Sequence, residues 1–178
     1  MIQEDVASAC LDAGAAVTAS FVEGQHVVYP AHGVGRIGRI TRETVAGERL
    51  ELIHITFDES RMTLRVPVSK AAKSGLRQLA SAETFKRAIA VVGGRPKTTR
   101  GLWSRKAKDF ADKIGSGDPI ALAEVARDTR KGGETQQSFS ERQLHEQALD
   151  RLATELAAIE GIDKATALLR FAPVAMAA

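Results

Sequence analysis

Between Phe21 and Leu79 the apolar and polar positions follow a period of two. "HVVYP" (26–30), "GRIGRITRETV" (35–45), "LELIHITF" (50–57) and "MTLRVP" (62–67) are rich in β-branched residues, and Gly, Asp, Glu and Ser turns separate them, which predicts strands. In the third segment Leu50, Leu52 or Ile53, Ile55 and Phe57 alternate imperfectly with Glu51, His54 and Thr56. In the fourth, Met62, Leu64 and Val66 fall on one face, Thr63 and Arg65 on the other. Ala46-Gly47-Glu48 joins the second and third strands as a hairpin, with Gly47 free to take a positive φ. Four or five short strands in about sixty residues are too few for a sandwich, so the expected closure is a small, strongly bent barrel of SH3 or Tudor type.

From Ser81 onward the pattern is helical. Ser81 is placed to cap "AETFKRAIAVV", which stops at Gly93 and Gly94, and "LWSRKAKDFADKI" follows, ending at "GSGDP". Asp118 caps the next helix with Pro119 at its first position, where the missing N–H costs nothing; "IALAEVARDTR" then ends in "KGG". Ser140 with Gln143 predicts a capping box for a long helix that carries Leu144, Ala148, Leu152, Leu156 and Ile159 on one face and stops at Gly161. "DKATALLRF" is a last short turn or two. The fold class is α+β in two modules without internal repeat: an extension over 1–20, a β module over 21–80, a helical module over 81–170 and a tail over 171–178.

Composition narrows the classes. Of 178 residues, 44% are hydrophobic and 26% charged, ordinary for a globular chain, while 4% aromatics leave aliphatic cores. The lone Cys10 has no internal disulfide partner, which favours the cytoplasm. No stretch approaches the roughly 18 consecutive apolar residues of a membrane span. The first twenty residues have no Lys or Arg and carry Glu4 and Asp5 where a secretory signal has cations, so they read as a flexible extension.

The net charge of +3 is mild, but its distribution is not even. Residues 95–113 hold seven Lys or Arg against two Asp, a net +5, whereas 1–20 and 134–178 each carry −3. That concentration is the footprint expected on a polyanion; a solvated basic helix face is the alternative. Inside it sits Trp103, the chain's one tryptophan, with Leu102 as its apolar neighbour. Trp103 either presents an exposed indole among cations or packs between helices with Phe110 and Ile114, seven and eleven positions on.

Other motifs point away from catalysis. "GVGRIG" (33–38) spells G-x-G-x-x-G, but a dinucleotide site needs a helix to start there and "RITRETV" continues as strand. Its glycines serve bends in a small sheet instead. His26, His32, His54 and His145 lack partners at metal-ligand spacing, and there is no nucleophile elbow or Walker loop. His32 reads as a structural hydrogen bonder. The expectation is a non-enzyme with no cofactor and no metal.

"FVEGQHVVYPAHGVGRI", "MTLRVP", "LWSRKAKDFADKIGSGDPIALAEVARD" and "SFSERQLHEQALDRLATELA" together resemble the CarD/CdnL family of bacterial transcription regulators, from about Phe21 to Leu169. The resemblance implies a Tudor-like RNA-polymerase-interaction module, similar to that of transcription-repair coupling factors, followed by a helical DNA-binding module. The first is expected to bind the polymerase β subunit. The second is expected to lie on promoter DNA at the upstream edge of the melted region and stabilise the open complex. By resemblance, Arg65 with Met62 and Thr63 falls on the strand facing β, and Arg42 or Glu43 stands where other members carry a contacting arginine, Glu43 aligning better. Trp103 matches the family's tryptophan wedge, with Arg105, Lys106 and Lys108 on backbone-contacting positions and Arg100 in the same cationic run.

These expectations describe a cytoplasmic bacterial monomer, held at the nucleoid through polymerase, with no membrane partner. A competing reading is a Tudor/SH3-like nucleic-acid-binding protein acting on RNA or the ribosome. A nucleotide-dependent enzyme resting on "GVGRIG" is the third. The terminal Ala177 and Ala178 resemble tags read by energy-dependent proteases.

Overall fold

A computed structural model describes residues 21–45, 47–58, 60–97, 102–130 and 138–171. The expected extension over 1–20, with Cys10, therefore lies outside the described residues, as do Arg100, Ala46 and residues 172–178 with the Ala-Ala end. The chain divides into two compact units, 1–78 and 79–178.

The first unit is an antiparallel sheet of β1 (His26–Tyr29), β2 (Gly33–Val45), β3 (Glu48–Phe57), β4 (Met62–Pro67) and β5 (Arg77–Gln78), in the order β4-β3-β2-β1-β5, with a one-turn helix α1 (Val68–Ala71) after β4. β4 and β5 are thus the edges. Gly47 turns β2 into β3 at φ 86°, as expected of that hairpin. β2 is long enough to pair with both β1 and β3, and its register slips between Ile37 and Arg39, a bulge that bends the strand. Val27, Ile37, Ile53, Ile55, Phe57, Val66 and Leu76 form the core with Phe21. Gly35 is fixed by packing: a Cβ there would stand 2.6 Å from Ile55 Cγ2 and 2.8 Å from Phe57 Cε1. The strand running through "GVGRIG" removes the helix that nucleotide binding requires. His32 contributes through its ring, stacked on Tyr29 at 5.6 Å and tilted against Phe57 at 5.4 Å.

The second unit holds α2 (Ala82–Val92), α3 (Trp103–Ser116), α4 (Pro119–Thr129), α5 (Phe139–Glu160) and α6 (Lys164–Leu169). Phe85, Ala88 and Val92 of α2, Leu122, Val125 and Ala126 of α4, and Ala148, Leu152 and Leu156 of α5 bury one common core with Ile114 and Phe171. Ser81 caps α2 through the Thr84 amide and Asp118 caps α4 through the Ala121 amide, with Pro119 next. The capping box of α5 differs from expectation. Ser138 and Glu141 form it, not Ser140 and Gln143, so the helix begins at Phe139. Both pairs satisfy the same spacing; the earlier one adds a charged acceptor at the positive end of the helix. The expected α5 stripe is observed, with Ala148, Leu152 and Leu156 buried and Leu144 and Ile159 partly so. No described helix is long and apolar enough to cross a membrane.

Candidate docking and nucleic-acid surfaces

The strand register sorts the expected polymerase-facing residues. Arg39 of β2 and Arg65 of β4 both lie directly across from His54 on β3, and Thr63 lies across from Thr56. Directly opposed residues share a face, so Thr41, Glu43, His54, Thr63 and Arg65 belong to one side of the sheet. Met62, opposite Phe57, belongs to the other side and packs partly against the core. Arg42 is also on that other side, paired with Glu51 at 3.3 Å. The five expected residues therefore do not make one patch: Glu43, Thr63 and Arg65 come together, while Met62 and Arg42 stand behind them.

Glu43 faces Arg65 at 4.0 Å. The Thr41 hydroxyl donates to Glu43 Oε1 at 3.2 Å and lies 2.8 Å from His54 Nε2. A hydroxyl has one proton, so if it goes to the carboxylate, Nε2 must be the donor to Thr41. His54, 4% exposed, is thereby the buried end of a chain that runs through Thr41 and Glu43 to the exposed Arg65. Burial holds the His54 pKa below its ordinary value, and Arg39 and Arg65 on either side push the same way against Glu43. Sequence reasoning missed this role. The signal, a histidine inside an otherwise apolar run, was present but its partners were not.

The second surface is the amino end of α3. Trp103 is the first helical residue, 37% exposed, and Leu102 before it is 79% exposed. Phe110 and Ile114 do pack into the helical core; the indole remains partly open to solvent. α3 is held at its far end: Arg151 Nη1 donates to the Ile114 carbonyl at 3.0 Å, and Lys113 pairs with Glu124 of α4. That Lys113 hydrogen bond is the main reason the Glu124 pKa is low. Arg105 and Lys108 are exposed and Lys106 is half-buried in the first two turns.

Four helices of this unit take a side-chain cap, from Ser81, Asp118, Ser138 and Asp163. α3 starts on Leu102, which has no acceptor to offer, has no acid in its first turn, and places Arg105 and Lys106 there instead. Cations at a helix amino end oppose the macrodipole, costing about 0.3–1 kcal/mol each, and a missing cap forgoes about 1 kcal/mol more. An approaching anion would reverse both penalties. No group of three or more His, Cys, Asp or Glu placed to hold a metal ion occurs among the described residues.

Comparison with known proteins fits this division. Residues 21–80 match the CarD-like/TRCF RID domain and residues 87–170 match the CarD C-terminal domain. "Putative transcription factor YdeB" of Bacillus subtilis (strain 168) is 30% identical over 143 residues, 80% of this chain and 94% of its own length. With both modules matched in order and that relative spanning most of the sequence, the chain belongs to the CarD/CdnL family of transcription regulators.

Proposed function

We propose that this regulator docks on the β subunit of bacterial RNA polymerase through the β4 side of its sheet and stabilises the promoter open complex through the amino end of α3. The observation that carries it is that α3 begins uncapped, flanked by cations, with Leu102 and Trp103 turned outward. Arg105, Lys106 and Lys108 suit phosphates and carry no base preference. A rigid indole suits a distorted step in the minor groove at the upstream edge of the bubble, where apolar wedges hold strands apart. Base–aromatic stacking is worth about 1–3 kcal/mol, which is roughly a five- to 150-fold shift in the equilibrium.

β4 supports the docking half, because an edge strand has unpaired backbone groups for a partner strand and here displays Thr63 and Arg65 beside Glu43. Docking makes weak DNA affinity sufficient, since a tethered site works at an effective concentration that reaches millimolar for short linkers. Binding is then insensitive to sequence and sensitive to salt.

The test is retention on the isolated β subunit. Arg65→Glu is expected to weaken it roughly 30-fold or more, the scale of about 2 kcal/mol for a lost charge contact, while Trp103→Ala binds β as wild type does. Undiminished binding by Arg65→Glu contradicts the docking surface. Association with RNA or ribosomes in place of β favours the competing RNA-binding function.

A further inference from the structure

Resting on the function just proposed, we infer that Asp128, at the carboxyl end of α4, is a positioning residue for the cationic segment 95–97 that leads toward α3. Asp128 Oδ1 accepts the Lys97 backbone N–H at 2.8 Å, across 31 positions of sequence. The same carboxylate is gripped by Arg127, Nε to Oδ1 at 2.7 Å and Nη2 to Oδ2 at 2.9 Å, and both side chains are nearly buried. Two residues on, at the carboxyl cap of α4, Arg130 donates to the carbonyls of Val92 and Gly94 at 3.1 and 2.9 Å. Gly94 lies close enough to Arg127 that a Cβ there would stand 3.4 Å from Cδ. The last turn of α4 thus holds the chain at both ends of 92–97.

Two of these contacts have an ordinary structural purpose. Arg130 reaches carbonyls at the end of α2, which need partners because the helix has run out of amides. Lys97 is different. It lies beyond that helix end, and Arg95, Pro96 and Lys97 are all exposed, so no burial of side chains holds the segment down. A buried ion pair is an expensive way to fix an exposed stretch of backbone. It becomes intelligible when the stretch has to present its charges from a set place. Held there, Arg95 and Lys97 would meet phosphates on the same DNA that Arg105, Lys106 and Lys108 contact. Burial alone would raise the Asp128 pKa, but Arg127 and the Lys97 amide outweigh it and keep the carboxylate charged.

Two double variants separate anchoring from simple stability. Arg127→Met with Asp128→Ala removes the ion pair as a unit, leaving no unpaired buried charge, and removes the acceptor for Lys97. Arg127→Met with Asp128→Asn also removes the ion pair but keeps a carbonyl oxygen for that amide. With full-length protein and polymerase holoenzyme on a promoter, open-complex lifetime is measured across salt concentrations. The Ala version is expected to shorten the lifetime roughly fivefold at 0.15 M salt and to make the log–log salt slope shallower by about one, as for one lost phosphate contact; the Asn version is expected to stay near wild type.

Equal lifetimes and slopes for the Ala and Asn versions overturn the proposal. Whether or not the Ala version folds, Arg95→Ala with Lys97→Ala leaves α4 intact and is expected to flatten the slope by about one to two; a wild-type slope also overturns it. If Trp103→Ala leaves the lifetime unchanged as well, the DNA-stabilising function itself is wrong. If Trp103→Ala shortens it and the anchor variants do not, only Asp128 has been misassigned.

Discussion

α3 and α5 both begin with an outward-facing aromatic residue, Trp103 at 37% exposure and Phe139 at 73%. Their surroundings differ in every other respect. Ser138 accepts the Glu141 amide, and Glu141 returns a carboxylate oxygen to the Ser138 amide at 2.9 Å, so the positive end of α5 is satisfied within the chain. α3 has Leu102 at the same position and Arg105 where α5 has Glu141. An exposed aromatic ring alone therefore marks nothing. What distinguishes Trp103 is a helix start at which Leu102 supplies no side-chain cap and the first turn holds cations and no acid, next to an apolar surface. The amino end of α3 forgoes stability that the amino end of α5 secures, and under the proposed function that deficit is what DNA would relieve.

The largest expected effect breaks this comparison directly. Trp103→Ala should shorten open-complex lifetime by roughly five- to 150-fold, while Phe139→Ala, removing the more exposed ring, should leave it within about twofold of wild type; equal effects would dissolve the distinction. A sharper test gives α3 the amino end of α5. Leu102→Ser with Arg105→Glu creates a capping box, expected to stabilise the helical unit by about 1–2 kcal/mol in thermal or denaturant unfolding. The same change should shorten the open complex several-fold, because it supplies internally the negative charge that DNA would provide and removes the phosphate contact of Arg105. The opposite manipulation, Ser138→Ala, should cost about 1 kcal/mol of stability with no change in lifetime.

The smallest effect concerns pH. Burial is the leading cause of a lowered pKa both at His54 and at His145, whose Nδ1 lies 3.1 Å from the Thr129 hydroxyl. Below the unperturbed value of 6.5 the unfolded chain binds protons that the folded chain resists, so stability is greatest above that pH and declines as pH falls through it. Thermal unfolding between pH 7.5 and 5.5 is expected to show a shift of a few degrees at most, reduced in His54→Gln.

Much of the fold was legible in the sequence because its signals are local. Ser81, Asp118 with Pro119, and Gly161 announce helix ends through side chains and backbone dihedrals that act within four residues. The capping box of α5 was misplaced by two residues because Ser138 and Ser140 offer the same hydroxyl, and only the acidity of Glu141 separates them. Strand β3 was harder. Leu52, Ile53, His54 and Ile55 are buried in succession, Ile53 and Ile55 on the core side and Leu52 and His54 on the other side of a strand flanked by β2 and β4, so the alternation blurs. The resemblance groups Arg42 and Met62 with Arg65; strand alternation already separates Met62 from Arg65, and the register adds that Arg42 shares the Met62 side of the sheet. The Asp128 contact to Lys97 has no local signature at all; it exists only once α4 has packed beside the end of α2. Trp103 stood out because composition made it anomalous, and its exposure follows from packing in which Phe110 and Ile114 already fill the core side of α3.

The single tryptophan makes the central claim directly measurable. Full-length protein labelled with 5-fluorotryptophan gives one fluorine resonance, silent to every tryptophan of an unlabelled polymerase. An indole lodged at the edge of the promoter bubble should shift and broaden that resonance on open-complex formation, and not on binding polymerase without DNA. A resonance unchanged between those two states would contradict it.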